Sequence, residues 1–115
     1  MIIVIDLDGT ICFPNLAESD VYYRYGLAEP NKEVIQQMQD LRNKGYRFII
    51  HTARRMLTTN GNLTKVYDEV GKLTEDWLAL HNVPYESLIF GKPYGDYYVD
   101  DKALTIGEFL KCGKN

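Results

Sequence analysis

Cysteine, long apolar runs and excess positive charge are all scarce in this chain. Its 115 residues include only two cysteines, Cys12 and Cys112. Their spacing matches no metal-binding motif, so free thiols in a reducing compartment are favoured over a disulfide framework.

No apolar run approaches the ~20 residues that a membrane-spanning helix needs. The first apolar run is interrupted at Asp6, which is too early for the hydrophobic region of a signal peptide. We therefore expect a cytoplasmic protein with no membrane partner. The net charge of −3 gives no basic surface and disfavours nucleic acid as a general partner, although it does not exclude contact with a single phosphate end.

The composition is that of an ordinary soluble globular protein, with 45% hydrophobic and 25% charged residues. A chain of this length has room for one hydrophobic core. The prediction is a single domain over residues 1–115, and no linker, repeat or low-complexity tract divides it.

Apolar runs and helical periodicity alternate along the chain. The first run, Met1 to Ile5, predicts a central strand that is covered on both faces. Further strands are predicted at residues 46–52, 88–90 and 97–101. Helices are predicted from about Asn31 to Lys44, from about Leu63 to His81, and through Ile106, Phe109 and Leu110.

Alternating strands and helices indicate βαβ units, so the predicted fold class is α/β with a small parallel sheet. The carboxyl ends of parallel strands meet at one edge, where open α/β sheets bind their ligands. Polar residues follow all four predicted strands at that edge: Asp6, Asp8, Thr52, Lys92, Asp100 and Asp101.

Four short motifs resemble those of the haloacid dehalogenase (HAD) superfamily of phosphatases and phosphotransferases. They are "DLDGT", the Thr of "IIHTAR", the Lys of "FGKP" and "YVDD", in family order over residues 2 to about 110. "TARRM", "VGK…EDWL…HNVPY" and "GKPYGDYYVDDKA" further resemble small capless members, some associated with capsular polysaccharide biosynthesis. The resemblance implies a three-layer, Rossmann-like HAD core without a cap domain.

The resemblance also implies a role for each motif residue. Asp6 would be the nucleophile that forms an aspartyl-phosphate, and Asp8 would protonate the leaving oxygen and then deprotonate water. Thr52 and Lys92 would hold the transferring phosphoryl group. The metal, Mg²⁺, would be bound by Asp6, Asp8 through its carbonyl, and Asp100, with Asp101 as a further ligand or a supporting acid.

Elementary chemistry favours the same residue types independently of the resemblance. A carboxylate can act as a covalent nucleophile, and residues two apart in an extended chain, such as Asp6 and Asp8, point the same way. Phosphoryl transfer depends mainly on positioning and on neutralising charge, which Lys92 and a hard cation such as Mg²⁺ supply.

Four more residues are candidates for substrate contact. Gly9 and Thr10 follow the acids and shape the turn after them. Arg54 and Arg55 follow Thr52, and the fork of a guanidinium suits phosphate or carboxylate groups. One of these two arginines is equally well explained as a surface side chain.

Neither gap between the motifs is long enough for a cap domain, so we expect an open site unless a second subunit of a homo-oligomer covers it. The leading prediction is a Mg²⁺-dependent phosphomonoesterase acting on a small phosphorylated substrate such as a sugar phosphate. The first alternative is a phosphatase of nucleic-acid ends, for example 3′-ends. The second is a non-catalytic domain that binds phosphate groups or a partner protein. A receiver domain fits the Asp6–Asp8 spacing poorly.

Overall fold

The structure is a computed structural model and describes residues 1–114. Nine regular elements occur in this order: β1 (Ile2–Ile5), β2 (Cys12–Phe13), β3 (Glu29–Pro30), α1 (Lys32–Asn43), β4 (Arg47–Thr52), α2 (Leu63–Val66), α3 (Lys72–Leu80), β5 (Ser87–Phe90) and α4 (Ile106–Leu110). Two single π-helical stretches, Tyr22–Gly26 and Tyr67–Gly71, complete the list.

The main sheet has three parallel strands in the order β1–β4–β5. Val4 lies opposite Ile49 in β4, and Ile50 in turn lies opposite Leu88 in β5. The predicted α/β class with a small parallel sheet is confirmed. The predicted central position of the first strand is wrong, because β1 lies at an edge of this sheet.

The prediction of a fourth strand over residues 97–101 is also wrong. This segment forms no strand, and every residue from Asp96 to Glu108 is exposed. Local hydrogen bonds hold it in turns instead. The Tyr98 hydroxyl donates to the Pro93 carbonyl at 2.7 Å, and the Lys102 N–H donates to Asp100 Oδ1 at 2.8 Å. Such side-chain to backbone bonds compete with strand pairing.

The helices follow the predicted periodicity closely. Asn31 caps α1 by accepting a hydrogen bond from the Val34 N–H, and Gly45, with φ +93°, follows its last turn. The predicted second helix is a run from Leu63 to Leu80, in which a π-helical stretch joins α2 to α3. The predicted last helix is α4.

The hydrophobic core lies on one face of the sheet. Ile5, Phe48 and Ile50 point to this face and belong to the same buried cluster as apolar residues of α1, α3 and α4. The opposite face keeps Ile2, Val4 and Ile89 largely exposed, with Val4 at 61%. The expectation that β1 is covered on both faces is therefore wrong.

The segment between β1 and α1 forms a small flap that the sequence did not predict in detail. Its strands β2 and β3 pair antiparallel, with Cys12 opposite Pro30, and the π-helical turn Tyr22–Gly26 lies between them. The Trp77 indole N–H donates to the Ala28 carbonyl at 3.0 Å and ties the flap to α3. No helix within residues 1–114 has the length and apolarity needed to cross a bilayer.

Candidate functional site

A cavity of about 570 Å³ runs along β1 and reaches the carboxyl end of the sheet. Its polar lining at that end comes from four separate stretches of the chain: Asp6, Thr10, His51, Lys92, Tyr98 and Asp100. The rest of the lining includes β1 itself and residues of the segment that leads into α4. Four of the predicted site residues thus face one cavity: Asp6, Thr10, Lys92 and Asp100.

Asp6 is the half-buried acid at the end of β1. Its carboxylate lies 3.9 Å from the Lys92 ammonium, with 37% of the side chain exposed. Burial raises the pKa of Asp6, and the Leu7 backbone and the Lys92 charge offset this effect only in part. Asp6 is therefore a partly desolvated carboxylate beside one cation, which suits a nucleophile in an open cavity.

The turn after the acids depends on Gly9, whose φ of +83° a residue with a side chain adopts at a cost. The Leu7 carbonyl accepts hydrogen bonds from the N–H groups of Thr10, Ile11 and Cys12. This turn brings Thr10 to the cavity wall, while Gly9 is exposed. Their predicted contact with a substrate stays a prediction.

Asp8 makes an ion pair with Arg54. Arg54 Nε donates to Asp8 Oδ2 at 3.0 Å, and Arg54 Nη2 donates to Asp8 Oδ1 at 2.5 Å. Paired bonds of this kind are the strong, orienting form of the arginine–carboxylate interaction. The two acids therefore have different partners. Asp6 lies 3.9 Å from the Lys92 ammonium, whereas both oxygens of Asp8 accept hydrogen bonds from Arg54.

Arg54 is only 4% exposed, and other residues hold it as well. Nη1 donates to Thr74 Oγ1 at 2.9 Å, and the guanidinium carbon lies 4.5 Å from the centre of the Tyr25 ring. Arg54 Nη2 also lies 3.5 Å from the Cys12 sulfur. The fork of Arg54 is thus occupied inside the protein, and its predicted contact with a substrate stays a prediction.

The Cys12 thiol is fully buried beside Asp8, to whose Oδ1 it donates a hydrogen bond at 3.4 Å. Burial raises the pKa of Cys12, and the Asp8 charge raises it further. Cys12 is thus a protonated donor to Asp8, which is consistent with the expected free thiol.

Arg55 and Thr52 are also engaged within the fold. The Arg55 guanidinium contacts Glu69 Oε1 at 2.6 Å and 2.9 Å. Thr52 is buried at the end of β4, and its hydroxyl accepts a hydrogen bond from the Arg54 N–H at 3.0 Å. In this arrangement Thr52 orders the turn that carries Arg54. The roles predicted for both residues toward a phosphate stay predictions.

Lys92 connects the acids to the exposed segment. Its ammonium lies 4.1 Å from the centre of the Tyr98 ring as well as near Asp6. A hydrogen bond from the Lys102 N–H lowers the pKa of Asp100, and a bond with Asp101 adds to this effect. Asp100 faces the cavity, whereas Asp101 is not part of its lining.

The Mg²⁺ ligands that the resemblance implies stay a prediction. Within residues 1–114, no three acidic, histidine or cysteine side chains come close enough together to hold a metal ion. The Asp8 carboxylate faces Arg54, which does not bear on its predicted role as a ligand through the backbone carbonyl, and Asp100 lies on an exposed turn. No step below is routed through a metal.

Sequence reasoning missed the residues that surround Arg54. Thr74 lies on α3, and Tyr25 and Cys12 lie in the flap, so none is near Arg54 in sequence. A buried threonine on the apolar face of a helix was the available signal for Thr74. His51, for which no role was predicted, also lies in the cavity wall.

The fold and site define a class: a small α/β protein with an acid- and lysine-lined cavity at the carboxyl edge of a parallel sheet. A crystal structure of a structural-genomics target from Vibrio cholerae is 33% identical, has a TM-score of 0.83, and aligns over 95% of this chain and 86% of its own. The chain belongs to the same family as that Vibrio cholerae protein.

Two further solved structures share the fold at lower identity. One is the Pnkp1/Rnl/Hen1 complex, with 22% identity, a TM-score of 0.56, and coverage of 87% of this chain and 30% of the other. The other is the Pnkp1/Rnl/Hen1 RNA repair complex, with 20% identity, a TM-score of 0.57, and coverage of 96% and 29%. No family model and no curated protein matches the chain.

Proposed function

We propose that this protein is a HAD-superfamily phosphatase that hydrolyses phosphomonoesters through an aspartyl-phosphate on Asp6. The observation that carries the proposal is the cavity in which Asp6 meets Lys92, with Asp8 two residues further along the chain. A nucleophilic carboxylate, a cation for the phosphoryl group and a second acid for proton transfer are the parts that such chemistry needs.

In the first step, an Asp6 oxygen attacks phosphorus and the bond from phosphorus to the leaving oxygen breaks. The proton on Asp8 moves to that oxygen, so the alcohol departs neutral. In the second step, water attacks the phosphorus of the aspartyl-phosphate and Asp8 takes a proton from the water. The bond between phosphorus and the Asp6 oxygen breaks, so phosphate is released and the Asp6 carboxylate is restored. Lys92 offsets the charge on the phosphoryl oxygens throughout.

A requirement for Mg²⁺ stays part of the proposal as a prediction. Its basis is the resemblance of "DLDGT" and "YVDD" to HAD motifs and the preference of Mg²⁺ for carboxylate oxygens. The three-layer HAD core and the capless subgroup belong to the same proposal. Exposed Ile2, Val4 and Ile89 mark the sheet face that such a core would have to cover.

A small phosphorylated metabolite, such as a sugar phosphate, is the proposed substrate class. The net charge of −3 disfavours extended contact with a nucleic acid. A phosphorylated nucleic-acid end is the second candidate, because a structure that shares the fold is that of an RNA repair complex.

The test is phosphate release from a panel of sugar phosphates, nucleotides and oligonucleotides with 3′-phosphates, with Mg²⁺ and with EDTA. The matched control is Asp6→Asn. We expect the wild type to release phosphate from a sugar phosphate and the variant to release none. Turnover of oligonucleotide ends alone would replace the substrate class, and release by Asp6→Asn at the wild-type rate would remove the mechanism.

A further inference from the structure

A second cavity lies between the flap and the helical run from Leu63 to Leu80. Its volume is about 500 Å³, and within residues 1–114 it shares no lining residue with the cavity of Asp6 and Lys92. Cavities of this size are in the range that binds small molecules. No step of the proposed reaction uses this second cavity.

Both π-helical stretches contribute a tyrosine ring to the second cavity. Each stretch begins with a tyrosine and ends with a glycine: Tyr22–Gly26 is "YYRYG" and Tyr67–Gly71 is "YDEVG". Gly26 lies so close to the Tyr22 ring that an added Cβ would be 2.9 Å from Cδ2, and a Cβ at Gly71 would be 3.5 Å from Tyr67 Cδ1. π-Helical turns are rare and often occur at functional sites, so their meeting at one cavity indicates a binding role.

The two tyrosine rings are held in place but remain half exposed, Tyr22 at 54% and Tyr67 at 51%. The Tyr67 ring packs edge-on against Phe90, with the ring centres 5.0 Å apart. The hydrogen bond from the Trp77 indole N–H to the Ala28 carbonyl fixes the flap to α3, and so fixes one ring relative to the other. The face of an aromatic ring is electron-rich and attracts cations.

The polar part of the cavity wall carries an excess of negative charge. Asp76 is paired with Lys72 at 3.2 Å, and Glu69 is paired with Arg55 at 2.6 Å, so these charges are compensated within the protein. Asp68 also lines the cavity, and it forms no ion pair with any of residues 1–114. A carboxylate without an ion-pair partner beside two aromatic rings favours a positively charged ligand.

We infer that the second cavity binds a small organic cation, in which a quaternary ammonium group is carried on an apolar body. The ammonium group lies against Tyr22 and Tyr67 with Asp68 as its counter-ion. The apolar body packs on Leu73 and Leu80, which line the same cavity. The inference does not depend on the proposed function, because it concerns a different site.

The full-length protein contains its own reporter for this binding. Trp77 is the single tryptophan, and it lines the cavity, so its indole N–H gives one identifiable nuclear magnetic resonance signal. The first probes are choline and 3,3-dimethyl-1-butanol, which has the same shape without the charge. We expect choline to shift the signal with a Kd on the order of millimolar and to bind about fivefold more tightly than the neutral compound.

Benzyltrimethylammonium adds an apolar body to the same charged group, so it should bind more tightly than choline. Equal affinity of choline and its neutral counterpart would overturn the inference. The absence of any shift of the Trp77 signal up to about 100 mM benzyltrimethylammonium would overturn it as well. Neither comparison needs a variant protein.

Variants then assign the binding to the two rings. Tyr22→Leu and Tyr67→Leu lie on separate elements, and each should weaken benzyltrimethylammonium binding about fivefold. The matched control is Tyr94→Leu, which removes a ring that is 57% exposed and lies outside both cavities. Its affinity should stay within about twofold of the wild type. An equal loss in all three variants would contradict a site between Tyr22 and Tyr67.

The charge is tested by Asp68→Asn, with Glu75→Gln as the control at an exposed acid of α3 that does not line the cavity. Asp68→Asn should weaken the cation about threefold at low salt, and Glu75→Gln should not. A trimethylammonium group also occurs on lysine side chains and on lipid headgroups. Tighter binding of a trimethyllysine peptide than of free trimethyllysine, or binding to phosphatidylcholine vesicles without binding of free choline, would overturn the assignment to a small molecule.

Discussion

The surroundings of Asp8 and the segment that carries Asp100 differ in how completely their side chains are held. On one side, Asp8 is enclosed by Arg54, whose partners include Thr74 and Tyr25. On the other side, Asp100 lies in a segment that is exposed from Asp96 to Glu108. Asp8, which is paired with the buried Arg54, is held in one orientation, whereas Asp100 lies on an exposed turn.

The difference shows how a charge comes to be ordered in a protein of this size. Burying a carboxylate is costly unless a partner compensates it, and Arg54 supplies both the charge and two directed bonds. The partners of Asp100 are the Lys102 backbone N–H and the neighbouring Asp101, and neither is a buried cation. Asp6 lies between these extremes, half-buried and near Lys92, and this intermediate state suits a group that must react.

The largest expected effect is on catalytic activity and concerns Asp6. Asp6→Asn should lower phosphate release by roughly 10⁴-fold or more, because the amide cannot form the covalent intermediate. Steady-state assays with p-nitrophenyl phosphate measure this loss. Circular dichroism of the variant should match the wild type, and residual turnover above a hundredth of the wild-type rate would exclude Asp6 as the nucleophile.

A smaller effect is expected on stability, where a buried residue of β4 and a residue of the exposed segment should differ. Ile50→Ala removes a fully buried side chain from β4 and should lower the free energy of unfolding by about 2–5 kcal/mol. Val99→Ala, at a fully exposed position, should change it by less than about 0.5 kcal/mol. Urea unfolding followed by fluorescence measures both. A cost above about 1 kcal/mol for Val99→Ala would mean that this segment packs against the protein, in contrast to the structure.

Helices and inner strands could be predicted from the sequence because their signals are local. Apolar spacing and the caps at Asn31 and Gly45 define α1, and continuous apolar residues define β4. The fate of residues 97–101 was not predictable in this way. A strand needs an edge to pair with, and the alternation of "YYVDD" does not reveal that Tyr98 and Asp100 bond to nearby backbone instead.

The candidate site, like the fold, could be predicted only in part from the sequence. The order of strands predicted that Asp6, Lys92 and Asp100 would lie at one edge, and all three line the cavity. The pairing of Arg54 with Asp8 depends on side-chain direction after a turn, and the contact with Thr74 depends on how α3 packs. Neither contact follows from spacing along the chain. Together they explain why Asp8 is paired with a guanidinium, whereas Asp6 is not.

A smaller effect concerns the pH dependence of stability. The pKa of Asp6 is raised above 3.8 in the folded protein, so folding is disfavoured once Asp6 ionises. Its stabilising contribution is complete below the unfolded pKa and is lost as pH rises through the folded pKa. Asp6→Asn should therefore be more stable than the wild type at pH 7, with the difference vanishing near pH 3.8.

Urea midpoints of both proteins, measured from acid to neutral pH, test this sign. The same raised pKa predicts that kcat/KM falls on the acidic side as Asp6 becomes protonated. A wild-type protein that gains stability over Asp6→Asn as pH rises would show that Lys92 outweighs the burial of Asp6.

The smallest expected effect concerns Tyr98, whose ring lies against Lys92. The Tyr98 hydroxyl donates to the Pro93 carbonyl and accepts from the Gly95 N–H at 3.0 Å, while its ring lies against Lys92. Tyr98→Phe keeps the ring and removes both hydrogen bonds, so we expect a loss of about 0.5 kcal/mol in stability and less than about a threefold rise in KM. Tyr98→Leu, the matched variant without the aromatic ring, should raise KM further because Lys92 loses its cation–π contact. Equal kinetics for the two variants would show that the ring does not help to place Lys92.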